Sequence, residues 1–167
     1  MIKAIFACVH NAGRSQMAAA FFNQLADPAK AEAISAGTEP SPRVHPEVLS
    51  VMQEIGIDLG NAKPRKLTEE LRQDAKLLIT MGCGDKCPCV PGLRREEWPL
   101  RDPKGQPIDE VRAIRDEIQA RVRSLLYREG LNLTTKQLNP YSVKSHPQPK
   151  PSQKRPKHRL NPMNCHP

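Results

Sequence analysis

Short apolar runs alternate with helix-period segments through the first 130 residues, and this alternation restricts the fold more than any other feature of the chain. Ile2–Ala7 reads as a buried strand. Arg14–Leu25 sets Met17, Ala18, Phe21, Phe22 and Leu25 at helical spacing and stops at Asp27-Pro28. Ala31–Ala36 reads as a second strand, ended by Gly37. Val44–Ile55 carries Val48, Met52 and Ile55 on one helical face, with Gly56 as its stop. A short helix is expected from Thr68, with Glu69 and Glu70 in the first turn, where they suit the helix dipole. Ala75–Met81 is the third strand. Glu96–Leu100 is a short fourth strand, which Pro99 confines to an edge or a strand end. Pro107–Arg128 is the final helix, with an apolar stripe of Val111, Ile114, Ile118, Val122 and Leu125 and Gly130 just beyond it. The expected fold is α/β, an open parallel four-stranded sheet with helices on both faces. Such sheets bind ligands outside the carboxyl ends of their strands.

The loop between the first strand and the first helix carries the strongest chemical signal. It reads Cys8-Val9-His10-Asn11-Ala12-Gly13-Arg14-Ser15, a C-x5-R-S pattern. A loop entering a helix N-terminus aims several backbone amides at one point and so binds an oxyanion. Arg14 adds a planar, permanently charged fork. The same positive field favours the Cys8 thiolate over the thiol, and Ser15 can donate a hydrogen bond to its sulfur. Residues Val9 to Arg14 are therefore the expected oxyanion-binding set, and Cys8 is the nucleophile. The competing reading is a structural cysteine before an ordinary capping loop. The strand before it, the helix after it and Gly13 at the turn weigh against that reading. His10 is assigned only as a lining residue.

A second cysteine cluster, Cys83-Gly-Asp-Lys-Cys87-Pro-Cys89, follows the third strand in a Gly- and Pro-rich segment. Carboxyl ends of neighbouring parallel strands gather at one edge. If strands one and three are adjacent, Cys83 could meet Cys8. Three uses of the cluster stay open on the residues alone. They are a zinc site, inert loop thiols, and a thiol–disulfide relay in which one thiolate attacks a sulfur and is attacked in turn. The zinc reading lacks paired C-x2-C motifs and an obvious fourth ligand. No metal ligand set is therefore assigned.

With the motifs in view, the chain resembles a known group. CVHNAGRS followed by Gln16-Met17-Ala18 is similar to the nucleophile loop of the low-molecular-weight protein tyrosine phosphatase superfamily, and Asn11 matches the asparagine that braces that loop. Trp98-Pro-Leu-Arg-Asp102-Pro103 resembles its general-acid loop. MGCGDKCP, taken with the Cys8 loop, resembles the arsenate reductases built on that scaffold. The resemblance covers roughly residues 1–130 and implies a phosphatase-like fold, Asp102 as general acid, and a relay of Cys8, Cys83 and Cys87. It also implies that electrons come from thioredoxin, a glutaredoxin-type protein or a small-thiol system, with no bound cofactor. Two departures from the pattern stand out. Only three residues separate Cys83 from Cys87, which leaves Cys89 as an additional resolving thiol. The first helix reads QMAAAFF, without the acidic residue through which some members hold potassium. A phosphatase acting on phosphate monoesters is the alternative enzyme, and a cysteine-loop metal or arsenite sensor the alternative outside enzymes.

Composition excludes several other classes. The formal net charge of +8 suggests nucleic acid, but its distribution does not. Seven Lys and Arg and no acid lie from Leu131 onward, and the remaining body carries a net charge of +1. The basic, Pro-rich stretch 131–167 is expected to be a disordered tail. Its Cys165 and His166 are given no metal role. No apolar run is long enough to span a bilayer, and the N-terminus lacks the apolar region of a signal peptide. The expected setting is the cytoplasm, where five cysteines serve redox chemistry rather than a disulfide framework. The expected partners are a phosphate-like oxyanion and a thiol reductant, with neither a membrane nor nucleic acid among them.

Overall fold

The N-terminal apolar run forms β1 (Ile2–Cys8), which pairs with β2 (Ala31–Gly37) on one side and β3 (Leu77–Thr80) on the other. All pairings are parallel, and β4 (Arg94–Glu97) adds to β3. Among the residues described in this computed structural model, 1–83 and 90–133, the sheet has the order β2-β1-β3-β4. The helices are α1 (Arg14–Leu25), α2 (Pro46–Gln53), α3 (Glu69–Asp74) and α4 (Ile108–Glu129). Cys87, Cys89 and the tail from Thr134 lie outside the described residues.

Side chains alternate across β1. Ala4, Phe6 and Cys8 enter one core cluster, while Ile5 and Ala7 enter a second. The first cluster is the larger. It holds Met17, Phe21 and Phe22 of α1, Val48, Val51 and Met52 of α2, and the stripe Val111, Ile114, Ile118, Val122 and Leu125 of α4. Burying each large side chain contributes about 1.5–3 kcal/mol. The second cluster is covered by one short helix, α3, through Leu71. Helices thus lie on both faces, as expected, but three of the four share a face.

The local signals act where the sequence places them. Thr68 caps α3 by accepting the Leu71 amide, and Gly130 ends α4 at φ +65°. Pro107 precedes α4 as its N-cap. β4 is the edge strand and stops before Pro99, which removes a backbone donor. It begins two residues earlier than its apolar content indicated, because Arg94 and Arg95 pair with Leu77 and Leu78 through backbone alone. Beyond Gly130 the chain stays attached. Leu131 is buried, its carbonyl accepts the Asp27 amide at 2.8 Å, and the Leu133 amide donates to Leu25 at 3.1 Å.

Candidate active site

The loop 8–15 joins the carboxyl end of β1 to the first turn of α1. Its carbonyls are engaged on one side. Val9 accepts the Glu39 amide at 2.8 Å, His10 the Ser41 amide at 2.9 Å, and Ala12 the His45 amide at 2.9 Å. In a trans peptide unit the N–H points opposite to the C=O. The amides of His10, Asn11 and Gly13 therefore point away from the 39–45 segment, the arrangement that an anion cradle requires.

Asn11 holds the loop together. It is the one described non-glycine residue with positive φ, at +49°, and it is fully buried. Its Oδ1 accepts the Arg65 amide at 2.9 Å and Gln16 Nε2 at 3.2 Å. That leaves Nδ2 to donate to Ser15 Oγ at 2.7 Å. Ser15 Oγ in turn lies 3.0 Å from Cys8 Sγ. A thiolate cannot donate, so with Cys8 ionised the Ser15 proton points at the sulfur and stabilises its charge. Gly37, at the end of β2, permits this packing. A Cβ there would stand 2.6 Å from the Val9 carbonyl oxygen and 2.9 Å from the Asn11 nitrogen.

Arg14 is buried and reaches the loop that follows Trp98. Nη1 donates to the Leu100 carbonyl at 3.0 Å, and Nη2 lies 3.4 Å from Asp102 Oδ2. A guanidinium has five N–H groups, so donors remain for an oxyanion. That loop is anchored by Trp98, which is buried against Phe6 with ring centroids 5.7 Å apart and whose amide donates to the Thr80 carbonyl at 2.8 Å. Asp102 is half-exposed, and its Oδ1 accepts the Lys104 amide at 3.0 Å. Pro103 closes over the nucleophile loop, where a Cβ on Gly13 would meet its Cγ at 2.7 Å. Cys8, Arg14 and Ser15 of one motif and Asp102 of another are thus brought together.

The relay thiols differ. β1 and β3 are adjacent, as the relay requires, and Cys83 is buried with Sγ 3.9 Å from the carbonyl oxygen of Ala7. Yet Cys8 belongs to the larger core cluster and Cys83 to the other. Met81, two residues before Cys83, packs with the Cys8 cluster. In a continuing strand Cys83 would share that face. Gly82, at φ +80°, breaks the alternation and turns Cys83 across the sheet. No disulfide joins Cys8 to Cys83 in this structure.

Several contributors are not legible in the sequence. The Arg65 amide, the Leu100 carbonyl and the bare edges of Gly37 and Gly82 act through backbone, and no motif marks them. His45 is another. Its amide holds Ala12, and burial lowers its imidazole below the usual 6.5, against the pull of the Asp102 and Glu47 charges and with the push of Lys104 and His10.

The sequence profile of the low molecular weight phosphotyrosine protein phosphatases matches residues 3–139. A Halobacterium salinarum protein named provisionally as an arsenate reductase is 39% identical over 126 residues, 72% of this chain and 87% of that one. The glutaredoxin arsenate reductase of Synechocystis is 35% identical over 129 residues, 75% of this chain and 97% of that one. Among solved structures, a thioredoxin-dependent arsenate reductase of Corynebacterium glutamicum matches with a TM-score of 0.67 at 38% identity. The match covers 77% of this chain and 61% of that one.

Proposed function

The chain belongs to the low molecular weight phosphotyrosine protein phosphatase family, and within it we infer that its reaction is the reduction of arsenate to arsenite. One observation separates this reading from a phosphatase. A second thiol, Cys83, is buried just beyond the strand next to the nucleophile's, with its sulfur against Ala7, the residue before Cys8. Phosphate ester hydrolysis needs one thiolate. Moving two electrons needs a second.

Arsenate has the shape and charge of phosphate and fits the cradle of loop amides and Arg14. The Cys8 thiolate attacks arsenic, and Asp102 gives its proton to the departing hydroxide, which leaves as water. The Cys83 thiolate then attacks Cys8 Sγ. The S–As bond breaks, its electron pair stays on arsenic, arsenite departs, and a Cys8–Cys83 disulfide remains. This step requires the 82–83 segment to carry Cys83 to the Cys8 face of the sheet. Cys87 attacks Cys83 and frees Cys8, with Cys89 as the alternative resolving thiol. A dithiol donor of the thioredoxin or glutaredoxin type reduces the last disulfide. Both donor types occur among the relatives. The cytoplasm, where thiols stay reduced, suits this cycle.

A coupled assay tests the reading. Arsenate, NADPH and either thioredoxin with its reductase or glutaredoxin with glutathione and its reductase should give NADPH oxidation that depends on Cys8 and Cys83. Brisk hydrolysis of an aryl phosphate, with no arsenate turnover under either donor, would move the chain to the phosphatases.

A further inference from the structure

We propose that Gly82 is a positioning residue for Arg14: its bare Cα is the wall against which the guanidinium is seated. The inference deepens the reading above and rests on it for the role of Arg14 as the anion-gripping fork.

The contact is direct. A Cβ built on Gly82 would stand 2.8 Å from Arg14 Nη1, 3.6 Å from Cζ and 3.8 Å from Nη2. The Nη1 end of the guanidinium therefore packs against the bare Cα of residue 82. The same Nη1 donates to the Leu100 carbonyl at 3.0 Å, and Nη2 lies 3.4 Å from the Asp102 carboxylate. Arg14 is thus in contact with Gly82 while it holds Leu100 and Asp102, and any side chain at 82 would displace it from those partners.

The wall is fixed to the nucleophile's strand. The amide of Met81 donates to the Ala7 carbonyl at 2.7 Å, so residue 82 starts from a point registered on β1. Its φ of +80° is the left-handed conformation that glycine adopts without penalty. Two separate demands thus fall on one position. The backbone must turn there to send Cys83 across the sheet, and the surface left behind must be bare for the guanidinium to seat. Because Gly82 adjoins Cys83, carrying Cys83 toward Cys8 also moves the wall behind Arg14.

Comparison of two glycines isolates the contact. Gly56 has the same φ of +80° and no atom within 4 Å of a built Cβ. Gly56→Ala and Gly82→Ala carry the same backbone strain and differ in the guanidinium. The probe is inorganic phosphate, followed by NMR titration of the loop amides. Gly82→Ala should weaken phosphate binding by roughly tenfold or more, since displacing a bidentate fork by part of an ångström costs on that scale. Gly56→Ala should leave it within about twofold. Denaturant melts of Gly82→Ala in wild-type and Arg14→Ala backgrounds cover the case of a poorly folded variant. With the guanidinium removed, the loss should shrink to that of Gly56→Ala. Phosphate binding by Gly82→Ala equal to wild type, or a stability loss that is the same in both backgrounds, overturns the proposal. Phosphate binding needs no electron transfer. A wild-type chain that binds phosphate but reduces no arsenate would sink the functional reading and leave this one standing.

Discussion

The Cys8 sulfur lies 3.0 Å from the Ser15 hydroxyl, and that hydroxyl is held by the Asn11 amide at 2.7 Å. The direction of this chain of bonds is set at its far end. The Arg65 amide and Gln16 occupy Asn11 Oδ1, so the Asn11 amide nitrogen faces Ser15 and the Ser15 proton is left for sulfur. A hydrogen bond to a charged group contributes about 1.5–3 kcal/mol, roughly tenfold or more in a rate that depends on that charge. Ser15→Ala should therefore slow alkylation of Cys8 by iodoacetamide at neutral pH by about tenfold or more, read against a Cys8→Ser reference. An unchanged rate would show that the loop amides and Arg14 alone hold the thiolate.

Gly37→Ala should be among the most damaging small substitutions in the chain. The added methyl meets backbone on both sides, the Val9 oxygen and the Asn11 nitrogen, and neither can rotate away. A loss of more than about 2 kcal/mol by denaturant melt is expected, with weaker phosphate binding, because the cradle itself must move. A loss below 1 kcal/mol would mean the β2 edge yields instead, on the usual scale for benign substitutions.

Asp102→Asn removes the proposed proton donor and should slow the arsenate step by about 10²–10⁴-fold. It should also shift His45. The Asp102 charge raises the His45 imidazole against the lowering by burial, so its removal lets the ring titrate lower still, which 1H–15N NMR of the ring would report. The depressed His45 value also fixes a pH effect on stability. The unfolded imidazole takes a proton near 6.5 and the folded one resists it. Stability attached to His45 is whole above that value and is lost as pH falls through it toward the folded value. His45→Gln should flatten that acid-side slope.

The order of the relay is open to trapping. Cys83→Ser should stop after the first chemical step with no Cys8 disulfide. Cys87→Ser should accumulate Cys8–Cys83, and Cys89→Ser should turn over nearly normally. Mass mapping after one equivalent of arsenate separates these outcomes. A dominant Cys8–Cys89 or Cys87–Cys89 bond would reverse the assignment.

Truncation after Leu133 should leave arsenate turnover within about tenfold of the full chain, a barrier change of roughly 1.4 kcal/mol at most. Truncation after Gly130 removes buried Leu131 and its bond to Asp27, and should cost stability on the order of 1.5–3 kcal/mol. Loss of activity with retained stability in the longer form would place the tail at the site.

The sequence by itself determined what rests on near neighbours. The periodicity of Arg14–Leu25 and of Val111–Leu125, the caps at Thr68 and Gly130, and the strand–loop–helix around Cys8 all depend on residues a few positions apart, and each stands where the pattern puts it. Asp102 was singled out only through the resemblance of Trp98–Pro103 to a general-acid loop, and the two loops do meet, Arg14 against Asp102 and Gly13 against Pro103. Tertiary structure alone decided which face each thiol occupies. Counting by twos along a strand sets Cys83 with Met81 and hence with Cys8, and the count fails because one glycine at positive φ reverses the pleat. It also decided the backbone groups that fix Asn11 and Arg14. The Arg65 amide and the Leu100 carbonyl are supplied from 54 and 86 positions away, and a backbone amide or carbonyl carries no residue signature that a linear reading could find.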